Sequence, residues 1–385
     1  LTRFSFILFF LSFQFASSQW EPCNNGLTGV GVNTIVVNKN KIFAGTAGGG
    51  FFISSDDGNN WIPKNDGLLD TTVVSIGFSG NNIFAGTRNA GMFLSKDEGN
   101  IWAEKNNGFS LSSVWSIAVD GENIYAGTRD SGIFLSTDMG DSWSQINNHL
   151  IYIRSLLADG GDVFAGTYNS GMYVSADQGK SWMERNNGLD DIDIRCLGKN
   201  GNDMFAGTSA LGIFHTTDQG LNWHNETIGM DHYGSVWAIV FAGDNIFLGS
   251  YDRGVYLSSD NGNNWLEKNA GFSDTSVTLL AVNDKYIFAG TGSGIYRAKL
   301  SEIITKINDD NSLYDNLIKI SDTHEYLHFY SKNNYTIKVF DMLGNQICTQ
   351  NNPSEIVKNP FQSGVYICSV TSPFNIQIFK FLVIE

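Results

Sequence analysis

The sequence predicts an all-β chain: a seven-bladed β-propeller of four-stranded antiparallel blades, closed by its N-terminal strand and followed by a small C-terminal β-sandwich. Three observations predict it. First, an Ile/Val/Met-Phe/Tyr-Ala/Leu-Gly-Thr/Ser pentapeptide starts at Ile42, Ile83, Ile124, Val163, Met204, Ile246 and Ile287, at intervals of 41, 41, 39, 41, 42 and 41 residues. A period near 40 is that of solenoids, propellers or arrays. Second, six copies carry a downstream Ser/Thr-x-Asp-x-Gly-x-x-Trp octapeptide, from Ser54-x-Asp56-x-Gly58-x-x-Trp61 to Ser258-x-Asp260-x-Gly262-x-x-Trp265. Third, the seventh copy runs through Ile295-Tyr296-Arg297 without that octapeptide, while residues 20–27 (WEPCNNGL) align without a gap on residues 61–68 (WIPKNDGL).

Each copy supplies four strands. The pentapeptide is rich in β-branched and aromatic residues, and its Ala and Gly leave room for another sheet to approach. A Gly then precedes a second run, such as Met92 to Ser95. In the octapeptide the Asp accepts backbone N–H groups, the Gly takes a positive φ and the indole covers the hairpin. The Trp opens a third strand that ends in an Asn-rich turn such as Asn106-Asn107-Gly108. The last strand is apolar, as in Val114 to Val119, and leads into the next pentapeptide. Four antiparallel strands make one propeller blade. The N-terminal strand therefore completes the seventh blade as its outer edge, removing the exposed edges of an open array.

The octapeptide resembles the Asp-box (BNR) repeat of sialidases, sortilin-type receptors, xyloglucan-degrading hydrolases and photosystem II assembly-factor-like propellers. The resemblance implies a folding device on the face away from the active centre, so its aspartates are not counted as catalytic. Calcium binding at residues 260–264 is the alternative for one copy, but the ligand spacing of a calcium loop is absent.

The chain of 385 residues accommodates one propeller and one small domain. We divide it into a signal peptide at 1–18, the propeller at 19–300, a linker at 301–312 and the sandwich at 313–385. Arg3, the apolar run Phe6 to Phe13 and Ala16-Ser17-Ser18 have the layout of a secretory signal peptide, with a buried first strand as the alternative. The run is short for a membrane span, so no transmembrane segment is expected in the mature chain. A net charge of −15 argues against a nucleic-acid partner. No cysteine spacing resembles a zinc or redox motif, and no metal or cofactor is expected. Cys23 and Cys196 fall on different blades; Cys348 and Cys368 share the small domain and could pair there.

After the polar stretch Asn308-Asp309-Asp310-Asn311 a new strand pattern begins, about seven short strands from Leu317 to Val383, which suggests a sandwich. Residues 337–341 (IKVFD) with Gly344, residues 363–367 (SGVYI) and residues 380–383 (KFLV) resemble the sorting domain of type IX secretion substrates. The resemblance implies the secretion machinery as a partner and a secreted or outer-surface location. An ordinary accessory sandwich is the alternative.

Function must come from a site rather than from the fold. The copies vary on the face opposite the octapeptides, at the second residue of each innermost strand: Asn33, Val74, Trp115, Arg154, Arg195, Trp237 and Thr278. Strand alternation sets these against the apolar first residue, so they are expected to ring the channel mouth. Above them stand Arg88, Arg129, Tyr168, Tyr251 and Arg253. Aromatic faces and guanidinium forks there suit a glycan, acidic sugars included, or a protein ligand. The alternative is that Trp115 and Trp237 wedge between blades.

We therefore expect a secreted, noncatalytic binding propeller for an extracellular glycan or protein. A glycoside hydrolase or sialidase is the alternative. No Arg-Ile-Pro element of the sialidases occurs, and Asp130 and Asp252 lie nearly across the ring, while Asp190, Asp191, Asp193 and Asp231 carry no accompanying motif. The xyloglucan-degrading enzymes use two propellers where this chain has one. A purely structural or assembly role is the third reading.

Overall fold

The structure, a computed structural model, describes residues 19–304 apart from 29–30, 110–111, 228–229 and 231–233, together with the backbone of six strands between residues 326 and 383. The chain divides into two compact units, Leu1–Ile304 and Thr305–Glu385. In the first, seven four-stranded antiparallel sheets follow one another. Blade one consists of Val32–Asn38, Lys41–Thr46, Phe51–Ser54 and Ile62–Pro63, innermost to outermost. Five further blades repeat that order. Blade seven takes Leu279–Val282, Tyr286–Thr291 and Gly294–Lys299 from the end of the propeller and Glu21–Pro22 from its start.

This closure is built like the outer strands of blades one, two, four and six. Glu21 and Pro22 pair with Arg297 and Tyr296, and Asn24 Oδ1 accepts Ile295 N–H at 2.7 Å. Asn65, Asn106, Asn186 and Asn269 accept the matching N–H in their own blades. The octapeptide indole does more than cover its hairpin. Trp61, Trp102, Trp143, Trp223 and Trp265 each donate Nε1–H to a carbonyl on the outer strand of the preceding blade, at 2.7–2.9 Å. Trp20, almost wholly buried, does the same to Lys268 O at 2.7 Å. Each of these six Trp is thus a staple between neighbours, and Trp20 with Trp61 fastens the seam.

The octapeptide turns are alike in detail. In the first, Asp56 Oδ1 accepts Ser54 Oγ–H and Asn60 N–H, and Ser54 Oγ accepts Gly58 N–H. Two successive residues have positive φ, for example Asp57 at 57° and Gly58 at 84°. The second is glycine in every copy; the first is not, and its strain is carried by the hydrogen bonds around it. These bonds hold the carboxyls below the ordinary range: hydrogen bonds from Ser142, Ser181 and Asn222 push Asp138, Asp177 and Asp218 down to about 2.

The first unit does not end at Leu300. A short helix, Leu300–Ile303, follows, and its fully buried Ile303 packs with Leu300 and Ile304 into the core of blades six and seven. In the second unit the described strands form a four-stranded sheet, with Thr336–Asp341 between Gln346–Asn351 and Gly364–Thr371 and with Ile376–Val383 at the edge, and a two-stranded sheet of Tyr326–His328 with Ile356–Lys358. Val339 is the register partner of Cys348 on one side and of Cys368 on the other. Two strand spacings, about 9.5 Å, separate those backbones, beyond the roughly 7 Å that a disulfide spans. Cys23 and Cys196 are free thiols, each pushed up to about 12 by burial. The expected signal peptide and the strand at residues 317–320 lie outside the described residues.

Two outcomes follow. Trp20→Ala, which removes a buried indole at the seam, is expected to lower stability by about 3–5 kcal/mol, read as a fall in the midpoint of denaturant unfolding. Because the octapeptide carboxyls titrate lower when folded than their ordinary value of 3.8, their stabilisation is complete above that value and lost as pH falls towards about 2. The melting temperature should therefore be flat above about pH 5 and drop between about 4 and 2, less steeply in Asp138→Asn; an unchanged slope in that variant speaks against this origin.

Candidate functional site at the channel mouth

A cavity of about 540 Å³ opens at the channel end where each innermost strand begins, and all seven second-position residues line it. The cause is not simple alternation. In six blades the register slips at this position, between Val32 and Thr34, Val73 and Ser75, Val114 and Ser116, Ile153 and Ser155, Ile194 and Cys196, and Val236 and Ala238. The skipped residue is the second one, and a β-bulge re-aims a side chain that regular pleating would place in the sheet. The first residue stays anchored in the core: Val73, Val114, Ile153, Ile194 and Val236 are fully buried.

Four consecutive blades join into a guanidinium–aromatic ladder. Arg154 Cζ lies 4.3 Å from the Trp115 ring centroid and 5.6 Å from that of Tyr168. Arg195 lies 5.6 Å from Tyr168 and 4.6 Å from Trp237. Tyr251 stacks on Trp237 at 5.5 Å. The two indoles are therefore not open platforms; each holds the guanidinium of a neighbouring blade. Of the other sequence-predicted residues Arg88 lines the cavity, while Arg129, Tyr168, Tyr251 and Arg253 are exposed and are not part of its lining.

Residues immediately before the innermost strands orient the ladder. Asp193, buried, accepts from Arg195 Nη2 at 2.7 Å, and Ser235 Oγ lies 2.6 Å from Trp237 Nε1. Burial pushes the Asp193 carboxyl up while Arg195 pulls it back. The equivalent residue in blade four is Tyr152, whose ring lies 5.9 Å from Trp115 and 5.8 Å from Tyr168. Its φ of 54° is uncommon for an aromatic residue. The Asn-to-strand connection from Asn147 to Ile153 is two residues shorter than that from Asn106 to Val114, which forces the tight entry. The 39-residue interval among 41s was the available signal for it. The same irregular junction leaves Trp182 bonded within its own turn, at Gly179 O, with Ile146 against that glycine.

Arg154 has no side-chain hydrogen bond or ion pair among the described residues, and its Nε is buried without a partner. Burial, then the like charge of Arg195, lowers its pKa. Among the described residues no carboxylate lines the cavity. Asp130 accepts from Ser112 and Asp252 from Ser250, while Asp191 takes the N–H groups of Asp193 and Ala210. Asp190 is exposed, and Asp231 lies outside the described residues. Among the described residues no group of three or more His, Cys, Asp or Glu is placed to hold a metal ion, and no helix is long and apolar enough to cross a membrane.

Comparison with known proteins decides the second unit. Residues 322–385 match the secretion system C-terminal sorting domain. That tail marks the chain as cargo of the type IX route, secreted or held at the outer cell surface. No curated protein matches the chain. Among solved structures it is similar to PorZ, a surface component of the type IX secretion system of Porphyromonas gingivalis, at 15% identity and a TM-score of 0.59, over 94% of this chain and 60% of PorZ. It is similar to YCF48 bound to a D1 peptide (15% identity, TM-score 0.60, 73% of this chain and 97% of that one). A GH74 xyloglucanase from Xanthomonas campestris is alike at 15% identity and TM-score 0.60, over 74% and 54%. At such identities the likeness is one of fold.

Asp193→Ala would leave the Arg195 guanidinium without its anion in a largely buried setting. We expect a loss of about 3 kcal/mol in urea unfolding, against less than about 0.5 kcal/mol for Asp190→Ala on the surface.

Proposed function

We propose that the chain is an exported, noncatalytic binding propeller that takes an extracellular glycan or protein ligand at the channel mouth. In this reading residues 1–18 direct export from the cytoplasm, residues 313–385 direct sorting, and the octapeptides belong to the Asp-box class of turns. The observation that carries it is the ladder from Trp115 through Arg154, Tyr168 and Arg195 to Trp237, of which all but Tyr168 line a cavity with no carboxylate in its lining among the described residues. Binding sites are concave, largely preformed and furnished with a few fixed polar groups. Cation–π contacts hold these guanidinium groups in place before a ligand arrives.

A glycoside hydrolase needs two carboxylates facing one bond, about 5 to 9.5 Å apart, and the lining offers none. The similarity to a xyloglucanase is one of fold and adds no catalytic pair. A glycan-array screen of the protein, repeated with Trp115→Ala and Arg195→Ala, tests the proposal. We expect retention on a subset of glycans, weakened about tenfold or more in both variants, a change of about 1.4 kcal/mol, without release of reducing ends. Retention untouched by both substitutions, or steady release of reducing ends from a polysaccharide panel, defeats it.

A further inference from the structure

We infer that the ligand of this mouth is a saccharide bearing a carboxylate, a uronic-acid unit, with the carboxylate seated on Arg154. This rests on the binding reading above and narrows it. Arg195 pairs with Asp193 at 2.7 Å, Arg297 with Glu21 at 2.8 Å, and Asp252 lies 4.0 Å from Arg253, while Arg88, Arg129 and Arg185 have no ion pair among the described residues. Arg154 alone in the ladder has neither ion pair nor hydrogen bond among the described residues, although it is half-buried and clamped between the rings of Trp115 and Tyr168. A guanidinium held flat by two rings keeps its fork of N–H donors free at the edges, and a planar carboxylate matches that fork with two parallel bonds.

The rest of the lining points to a sugar. Opposite and beneath the arginines stand hydroxyls: Thr34, Ser75, Ser116, Ser155 and Thr278. Ser75 and Ser116 donate their O–H to Val114 O and Ile153 O, which leaves their oxygens free to accept from a ligand hydroxyl. At the rim the exposed rings of Tyr168 and Tyr251 offer a flat surface to the C–H face of a pyranose. Against the net charge of −15, three arginines in one cavity with the single carboxylate of Asp193 beside them are a local reversal of sign. Neutral sugars use none of that reversal, and an acidic peptide offers few hydroxyls to the free acceptor capacity of Ser75 and Ser116.

Calorimetry on the full chain with trigalacturonate, its methyl ester, a neutral galactotriose and polyglutamate tests the inference. Trigalacturonate is expected to bind at least about tenfold more tightly than its methyl ester, a difference that shrinks with added salt. Arg154→Gln should weaken the acid to the level of the ester while leaving the ester unchanged. Should Arg154→Gln lose the wild-type melting temperature, Arg154→Lys serves instead: it keeps the charge, removes the fork, and is expected to keep only part of the preference. Equal binding of acid and ester overturns the carboxylate while leaving the binding propeller intact. Binding of polyglutamate alone overturns the sugar and leaves a protein ligand. Failure of every saccharide overturns this inference, and failure of all four probes counts against the binding reading as well.

Discussion

The propeller depends on one close approach, repeated between neighbouring blades. In six blades the glycine in the second strand faces the β-branched residue that opens the next blade, while Gly290 in the seventh meets Leu279 of its own blade. A Cβ built on Gly86 would stand 2.7 Å from Val114 Cβ, and one on Gly45 2.6 Å from Val73 Cγ1; Gly127, Gly166, Gly207 and Gly249 meet Ile153, Ile194, Val236 and Val277 in the same way. No real side chain tolerates that spacing, so the pentapeptide glycine is a packing requirement before it is a turn residue. Its partner is fully buried in each of those six cases.

This contact also shapes the mouth. Once Val114 or Ile153 is locked against the neighbouring glycine, the next residue can enter the ladder of backbone bonds or be expelled from it. The register slip shows that it is expelled, into the channel. Packing fixes position one, the bulge frees position two, and position two becomes the place where copies can differ without disturbing the fold. The side chains there range from Asn, Val and Thr to Trp and Arg, while the residues on either side stay apolar or small.

Period, strand count and seam were legible in the sequence because they are repeated: seven pentapeptides and one displaced outer strand leave little freedom. The ring of second-position residues was legible as variation against that background, although the reason is a bulge rather than alternation. What could not be read was how those side chains meet across blades. Trp115 and Trp237 carry nothing in the sequence to show that Arg154 and Arg195 cover their faces. Asp193 looked like one of several loop acids, and only the fold brings it to Arg195, two residues on. Tyr152 was missed because its place in the repeat is usually taken by a small polar residue, and a two-residue deletion leaves no mark on composition.

Charge gives the molecule a direction. Each third strand ends beside the start of the second, as Ser136 pairs with Ile124, so the octapeptide aspartates lie at the end of the blade opposite Thr128 and the mouth. Hydrogen bonds hold Asp56, Asp97, Asp138, Asp177 and Asp218 ionised well below neutral pH; at Asp260 burial opposes the shift, but the bonds from Asn264 and Ser258 still carry it down. Negative charge is thereby fixed at one end by the same turns that fold the blades; at the other, Arg88, Arg154 and Arg195 line the cavity while Asp70, Asp130, Asp191, Asp252 and Asp274 sit in the surrounding loops. Attraction of an anion is therefore confined to the cavity itself, at separations within the Debye length of about 8 Å at physiological ionic strength. The acidic turns and the arginine-lined cavity are thus two consequences of one repeat, in which the fixed end serves folding and the variable end is left for recognition.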